Sequence, residues 1–563
     1  MKKIFKTILA FSLTFFVCGC QDRMDYNEVT EYDKDAIFSS FNLAAQFVTN
    51  IYSTLENGFV GYNNGAILAS ASDESDCAWA NSNVHYFYNG AWSPLKPLTS
   101  QWEDSYAAIR ACNFFLENFA NYKFEDYQFN EDYNDQMERY NRYQYEVRFL
   151  RAYHYFNLVR TFGDVPFIDE TISQDDANKL KRTPKNEIFQ FIVDECDAID
   201  GKLPVSYSQL PYQETGRITK MMVLALKGRT LMYKASPLFN ESNDKDAWRV
   251  AALANKKVIE ECLKNGIQLG KYSDLWGNDS YKSSEMILAR RTGNNNSFEK
   301  NNFPIGVEGG NSGNCPTQTM VDAYRMKATG KLWNEEESGY DENNPYKGRD
   351  PRFEMTIAFN GNKWPNYNAI PLEIYEGGRN GHPLPGATTT GYYLKKYCDA
   401  TVDLRPATTT TKFHSWIIYR LGEFYLNYAE CVYNYFGDPD MTDSDFEISA
   451  VDALNVIRKR TDVDMPELST GLGTAFIDYY RNERMVELAF ESHRFWDVRR
   501  WKIGDVFKSI DVMKISNNGG TLTYTRETKE RSWDEKMYFF PIPDSEIRKN
   551  PSLEQNQLWK ENK

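Results

Sequence analysis

The group best placed to react in this 563-residue chain is the thiol of Cys20. Lys2, Lys3 and Lys6 form a basic start, Ile8 to Val17 is a short apolar run, and Val17-Cys18-Gly19-Cys20 closes it. The run is about half of what a bilayer span needs, so it reads as a signal peptide. A small residue just before a cysteine is what a lipoprotein signal peptidase requires, and a freed Cys20 would carry a thioether to diacylglycerol. Two or three acyl chains, at roughly 0.8 kcal/mol per buried CH₂, anchor a protein stably where one chain does not. A second set is Glu483, Glu487 and Glu491 at i, i+4 spacing, with His493 beyond them. Paired carboxylates are the tools of general acid–base catalysis. Here Arg481, Arg484 and Arg494 stand among them, and guanidinium groups keep such carboxylates ionised and engaged in ion pairs. A third set is the run of Asp73, Glu74, Trp79, Asn81, Asn83, Tyr86, Tyr88, Asn89 and Trp92, which offers flat faces and planar polar groups together.

Composition narrows the classes. Loss of residues 1–19 removes three lysines and no acids, so 62 basic residues face 79 acidic ones, a net charge of −17. Phosphates would be repelled, so no nucleic-acid partner is expected. Cys77, Cys112, Cys196, Cys262, Cys315, Cys398 and Cys431 are odd in number and scattered, without a Cys-x-x-Cys. They suggest neither a disulfide framework nor a zinc site, and read as small buried side chains. No metal and no cofactor is expected, and no Gly-x-Ser-x-Gly, His-Glu-x-x-His or P-loop occurs. The chain is 15% aromatic, with 37 Tyr, 35 Phe and 12 Trp. Its mean hydropathy is nevertheless −0.62, so the rings must serve helix packing, ligand contact or both.

The elements that would position these groups are mostly helical. After a polar tether over 20–35, apolar periodicity predicts helices over Glu103–Asn118, Gln136–Arg160, Asn186–Asp200, Thr219–Ala235 and Ala247–Leu263. Gly163 and Pro166 stop the second of these, and Trp102 at the head of the first reads as core. Short loops and small residues at the crossings resemble tetratricopeptide-type hairpins. Two more helices follow at Tyr419–Phe436 and Asp445–Arg460, and Arg481 to Trp501 reads as one further helix. Residues 270–415 are rich in Gly, Asn, Pro and Thr, and read as long loops with a few short strands over the helical frame. The division is therefore a leader over 1–19, a tether over 20–35, a helical region over 36–270 and a loop-rich region with further helices over 271–563.

RNERMVELAFESHRFWDVRRW (Arg481 to Trp501) resembles the C-terminal signature of the SusD/RagB family of outer-membrane nutrient-binding lipoproteins. Seven collinear stretches extend the resemblance along nearly the whole chain. They are GRITKMMVLALKGRTLMYKASPLF from Gly216, EMILARR from Glu285, CPTQTMVDAYRMKATGK from Cys315 and NPYKGRDPRFEMTIAFNG from Asn344, followed by TGYYLKKYC from Thr390, YRLGEFYLNYAE from Tyr419 and FFPIPDSEIRKNPSLEQN from Phe539. The resemblance implies a mostly α SusD-like fold, with tetratricopeptide-like helix pairs carrying a loop-rich face. It implies a lipid-anchored protein of the cell outer membrane, facing outward, that captures oligosaccharides without cleaving them. Its partner would be a SusC-like TonB-dependent transporter. Surface export in the family goes with acidic residues after the lipidated cysteine; Asp22 and Asp25 fit, with Arg23 between them.

A sugar site needs apolar faces for the C–H side of a pyranose and planar polar groups for its hydroxyls. The expected contacts are Asp73, Trp79, Asn81, Tyr86, Tyr88 and Trp92, with Trp276, Tyr281, Asn295 and Phe303 from a second loop; Trp333 and Trp364 come after these. No family motif covers these loops, so the choice rests on side-chain chemistry. Two alternatives share the composition: a peptide-binding lid on the same scaffold, and a surface glycoside hydrolase with two carboxylates about 5–10 Å apart. Metabolic palmitate labelling tests the anchor: the chain should take up label and partition with membranes, and Cys20→Ser should lose both. Equal labelling of the two forms would refute the assignment.

Overall fold

The computed structural model describes residues 34–59 and 65–560; Cys20 and the rest of the tether up to residue 33 lie outside the described residues. The main helices are α1 (Phe41–Tyr52), α2 (Gln101–Asn118), α3 (Tyr133–Phe162), α4 (Lys185–Ile199), α5 (Lys220–Ala235), α6 (Lys245–Lys264), α7 (Leu421–Phe436), α8 (Ala450–Arg458), α9 (Phe476–Glu487) and α10 (His493–Arg500). From α2 to α8 each helix packs against the next, the packing expected of stacked helix hairpins. The join from α6 to α7 skips residues 265–420, which fold over the array as loops and short strands. Among the described residues no helix is long and apolar enough to cross a membrane.

Local chemistry explains the boundaries. Val147, Leu150, Tyr153 and Phe156 of α3 are buried, and Gly163 ends the helix at φ +75°, a conformation that costs glycine little. Gly437 closes α7 in the left-handed helical region, at φ +77° and ψ 5°. At the crossing of α5 and α6 a side chain on Gly228 would press on Asn255, whose amide instead donates to the Gly228 carbonyl at 3.1 Å. Trp102 is buried, and all seven of the later cysteines are buried and free.

Among the described residues the strands form four two-stranded antiparallel ribbons. β1 (Ser75–Cys77) pairs with β3 (Asn314–Pro316), and β2 (Met286–Asn295) with β6 (Lys412–Arg420). The short β4 (Ile357–Ala358) pairs with β5 (Tyr393–Leu394), and β7 (Ser509–Asn518) with β8 (Thr521–Glu530). The last ribbon turns through Gly519 and Gly520, both at positive φ, as a tight two-residue hairpin loop demands.

The segment Arg481–Trp501 departs from the single helix its periodicity suggests. It breaks between α9 and α10, with Phe490 at φ +61° and Ser492 at φ +69°. The break separates Glu491 from Glu487 and turns both into a buried cluster of charge. Arg420 bonds Glu285 at 3.0 Å, Glu487 at 2.8 Å and Glu491 at 2.9 Å; Arg352 pairs with Glu483 at 2.7 Å and Glu487 at 2.9 Å. Burial works against the charged form of Glu487, but Arg460, Arg420 and Arg352 outweigh it and hold the carboxyl well below its usual range. His493 is driven the other way, toward its neutral form, by burial and by nearby arginines. These glutamates are structural counter-ions, not an acid–base pair.

Glu74 receives the backbone N–H that the break frees: Phe490 N–H donates to its Oε1 at 3.1 Å. Its other oxygen has no hydrogen-bond partner among the described residues, and burial raises the carboxyl from 4.5 to about 8. An acid whose folded pKa is raised takes up a proton on folding. Its cost is absent below the unfolded value of 4.5, then grows with pH until it levels off above 8. Glu74→Gln keeps the acceptor and removes the titration, so it should leave melting near pH 4 unchanged and raise it at pH 8, with a ceiling of ~5 kcal/mol. An equal effect at both pH values would show that Glu74 is not held neutral.

Candidate ligand-binding face

The β1–β3 ribbon places the loop after Cys77 beside the loop before Asn314. Ala78 N–H donates to the Gly313 carbonyl at 2.8 Å, and Ser70 Oγ donates to Asn314 Oδ1 at 2.7 Å. Trp79 follows at once. Its indole N–H donates to the Asn311 carbonyl at 2.8 Å, which fixes the edge of the ring while the side chain stays half-buried. Asn81, two residues on in the chain, and Asn311, which accepts that bond, are both exposed.

One carboxylate gathers the surrounding loops. Asp76 Oδ1 accepts from the Tyr88 hydroxyl at 2.6 Å, its Oδ2 accepts from Thr389 Oγ1 at 2.8 Å, and Arg531 reaches it at 3.2 Å. Burial opposes ionisation here, but Arg531 and the two hydroxyls prevail and hold Asp76 below its ordinary pKa. Asn380 donates to the Ile305 carbonyl at 2.7 Å, which ties the 375–390 loop to the loop before Asn311. Residues 78–92, 303–313 and 375–390 and the end of β8 thus meet on one side. Asp76, Asn311, Thr389 and Arg531 were not expected there. Thr389 borders the Thr390–Cys398 motif, whereas Arg531 carries no sequence signal.

Three expected contacts are corrected. Asp73 is buried and bidentate with Arg494, at 2.9 and 2.8 Å, so its oxygens are taken by the scaffold. Trp92 is 3% exposed and packs its edges on Phe87, Phe540 and Trp559, so it presents no face. Phe303 is fully buried against Trp364, which is itself core. Tyr88 is half-buried, but its hydroxyl is bound to Asp76 and the Arg531 guanidinium lies 3.9 Å from its ring centroid. Tyr86 is half-buried under the Lys96 ammonium, at 3.4 Å.

The second loop forms a separate group. Trp276 sets its edge against Tyr272, and Tyr281 lies under the Arg291 guanidinium at 4.5 Å. Asn295 bonds the Gly293 carbonyl and the Ser297 N–H, so its amide is satisfied locally. Among the described residues no hydrogen bond or ring contact joins these three to the Trp79 group. Trp79 and Asn81 therefore remain the candidates with surface to offer on the pinned face, and Tyr86 borders them in sequence.

Comparison with known proteins follows this architecture along the chain. The family described as "SusD family" matches residues 279–559, and the one described as "Starch-binding associating with outer membrane" matches residues 24–230. SusD-like protein P25 of Formosa agariphila is 22% identical over 97% of each chain. A SusD-like protein of Bacteroides fragilis superposes with a TM-score of 0.76 at 27% identity, over 93% of this chain and 98% of its own. A SusD-like carbohydrate-binding protein of the same species gives 0.72 at 23% identity, over 92% and 100%. With its stacked helix pairs, overlying loops and buried C-terminal signature, the chain belongs to the SusD/RagB family.

Proposed function

We propose that this chain is a lipid-anchored protein of the outer-membrane surface that binds oligosaccharide on the Trp79 face, leaves it intact and hands it to a SusC-like TonB-dependent transporter. Family membership supports glycan binding, as does the structural likeness to a protein described as carbohydrate-binding. The observation that carries the reading is Trp79: its N–H is already held by the Asn311 carbonyl, so a half-open indole is left as an apolar platform. The amide of Asn81 stands two residues away, where a sugar hydroxyl beside the platform would need a planar partner. The carboxylates of the signature are bound to arginine and offer no acid for glycoside cleavage.

Glycan titration with thermal melts separates platform from core. Trp79→Ala should weaken oligosaccharide binding by about 1–3 kcal/mol and leave the melting temperature nearly unchanged. Trp92→Ala should cost roughly 3–5 kcal/mol of stability. Affinity should grow with glycan length up to the span of the face, and no new reducing ends should appear on prolonged incubation. Binding of peptides in place of glycans, or release of shorter products, would overturn the reading.

A further inference from the structure

Strand β8 ends its ribbon in an open edge. It pairs with β7 without a break from Ser509–Glu530 to Asn518–Thr521, so the backbone groups of alternate residues point away from the ribbon. On β7 that outer edge is covered. Asp511 N–H donates to Thr319 Oγ1 at 2.8 Å, Met513 N–H donates to the Thr390 carbonyl at 2.8 Å, and the Ile515 carbonyl accepts from Glu376 N–H at 2.9 Å. On β8 the matching groups belong to Leu522, Tyr524, Arg526, Thr528 and Glu530, and among the described residues no hydrogen bond reaches them. Native edges of such length are commonly blunted by a proline or a bulge. Strand β8 has neither, and Glu527, Thr528, Lys529 and Glu530 are all exposed.

The charges along this edge point to what fits it. Arg526 pairs with Asp322 at 3.0 Å, whereas Glu527, Lys529 and Glu530 have no ion-pair partner among the described residues. Lys529 Nζ donates to the Thr389 carbonyl at 2.5 Å. Two antiparallel copies of β8 centred on Thr528 would set Glu527 opposite Lys529 and Arg526 opposite Glu530, each of them twice. Glu527 and Lys529 then occupy the non-hydrogen-bonded positions, where cross-strand side chains come closest. Moving the centre by one residue would set Glu527 against its own copy, or Lys529 against its own copy. The alternating charges therefore oppose the neighbouring registers and favour this one.

We propose that the outer edge of β8 is a self-association surface, on which two copies of this chain join their ribbons into one continuous antiparallel sheet about a two-fold axis at Thr528. An isologous contact of this kind closes on two copies and leaves no edge for a third. Arg526, Thr528 and Glu530 of the two copies would exchange about six backbone hydrogen bonds. The charged pairs beside them set the register more than the strength. Such a contact is small, so association is reversible and rises with concentration.

Disulfide trapping of the full chain in vesicles reads both the contact and its register. The seven later cysteines are buried, so a thiol added on the edge reports alone against the parent. Under mild oxidation Thr528→Cys should form a disulfide between copies, because hydrogen-bonded partners lie about 5.5 Å apart at Cα, within disulfide range. Thr525→Cys is equally exposed on the same strand, but in this register it would stand roughly 20 Å from its own copy and should give no more than the parent. Adding Glu527→Lys to Thr528→Cys should cut the yield several-fold, and adding Lys529→Glu as well should restore it. These are surface changes, so each variant should melt close to the parent and a lost disulfide cannot be unfolding. No disulfide in Thr528→Cys, equal yields at 525 and 528, or a yield that Glu527→Lys leaves unmoved or Lys529→Glu fails to restore would each overturn the proposal.

Discussion

Glu487 is fully buried, and guanidinium groups from three distant stretches of chain, Arg352, Arg420 and Arg460, converge on it. Around that carboxylate stands a closed set: Arg352, Lys396, Arg420, Arg458 and Arg460 against Glu285, Asp350, Glu483, Glu487 and Glu491. Taking an ion out of water costs several kcal/mol even after relaxation, and only good geometry with opposite charges offsets it. A set balanced in this way is tolerable complete and very costly incomplete. Removing one partner strands another, at about 3–5 kcal/mol. The loop-rich stretch supplies Glu285, Asp350, Arg352, Lys396 and Arg420, and the segment from α8 to α10 supplies Arg458, Arg460, Glu483, Glu487 and Glu491. The cluster therefore allows the loops one seat on the helical array.

This cluster also marks where sequence reasoning stops. The residue types at 481–501 are visible, and their i, i+4 spacing suggests pairing within one helix. The real partners lie at 285, 352, 420 and 460, and no local pattern can reveal them. Nor could periodicity show the break at 488–492, because neither Phe490 nor Ser492 is a residue that favours positive φ. The helices themselves were legible, since a buried stripe with 3.6-residue spacing is a local property: Thr219–Ala235 is observed as Lys220–Ala235, and Ala247–Leu263 as Lys245–Lys264. The β7–β8 ribbon was missed, although its signal is just as local. Ile510 and Val512 alternate toward the core, and Asn518-Gly519-Gly520 is a strong hairpin signal, yet the reading assigns no strand there.

The face was legible in composition and not in detail. Trp79 and Trp92 stand in the same aromatic, Asn-rich loop and look alike on paper. What separates them is the C-terminal segment, which brings Phe540 and Trp559 over Trp92, while among the described residues no ring pair covers Trp79. Phe303 is lost to the core in the same way, through Trp364. Long-range burial, decided by residues tens to hundreds of positions away, sorts platform from core.

Asp73, expected to meet ligand, and its neighbours Glu74 and Asp76 couple the face to the scaffold. Asp73 clamps Arg494 of α10, Glu74 holds the Phe490 N–H at the break, and Asp76 gathers Tyr88, Thr389 and Arg531. These three lie within four residues of one short segment that leads directly to Trp79. The loops of the face are therefore ordered on folding, when the charge cluster seats them, and not when a ligand arrives. Binding then need not cover the entropy of arranging several loops, which in a flexible site can consume much of the interaction free energy. On those terms the proposed platform of one indole and a few amides can hold a ligand, because its geometry is settled beforehand by acids whose bonds run to the scaffold.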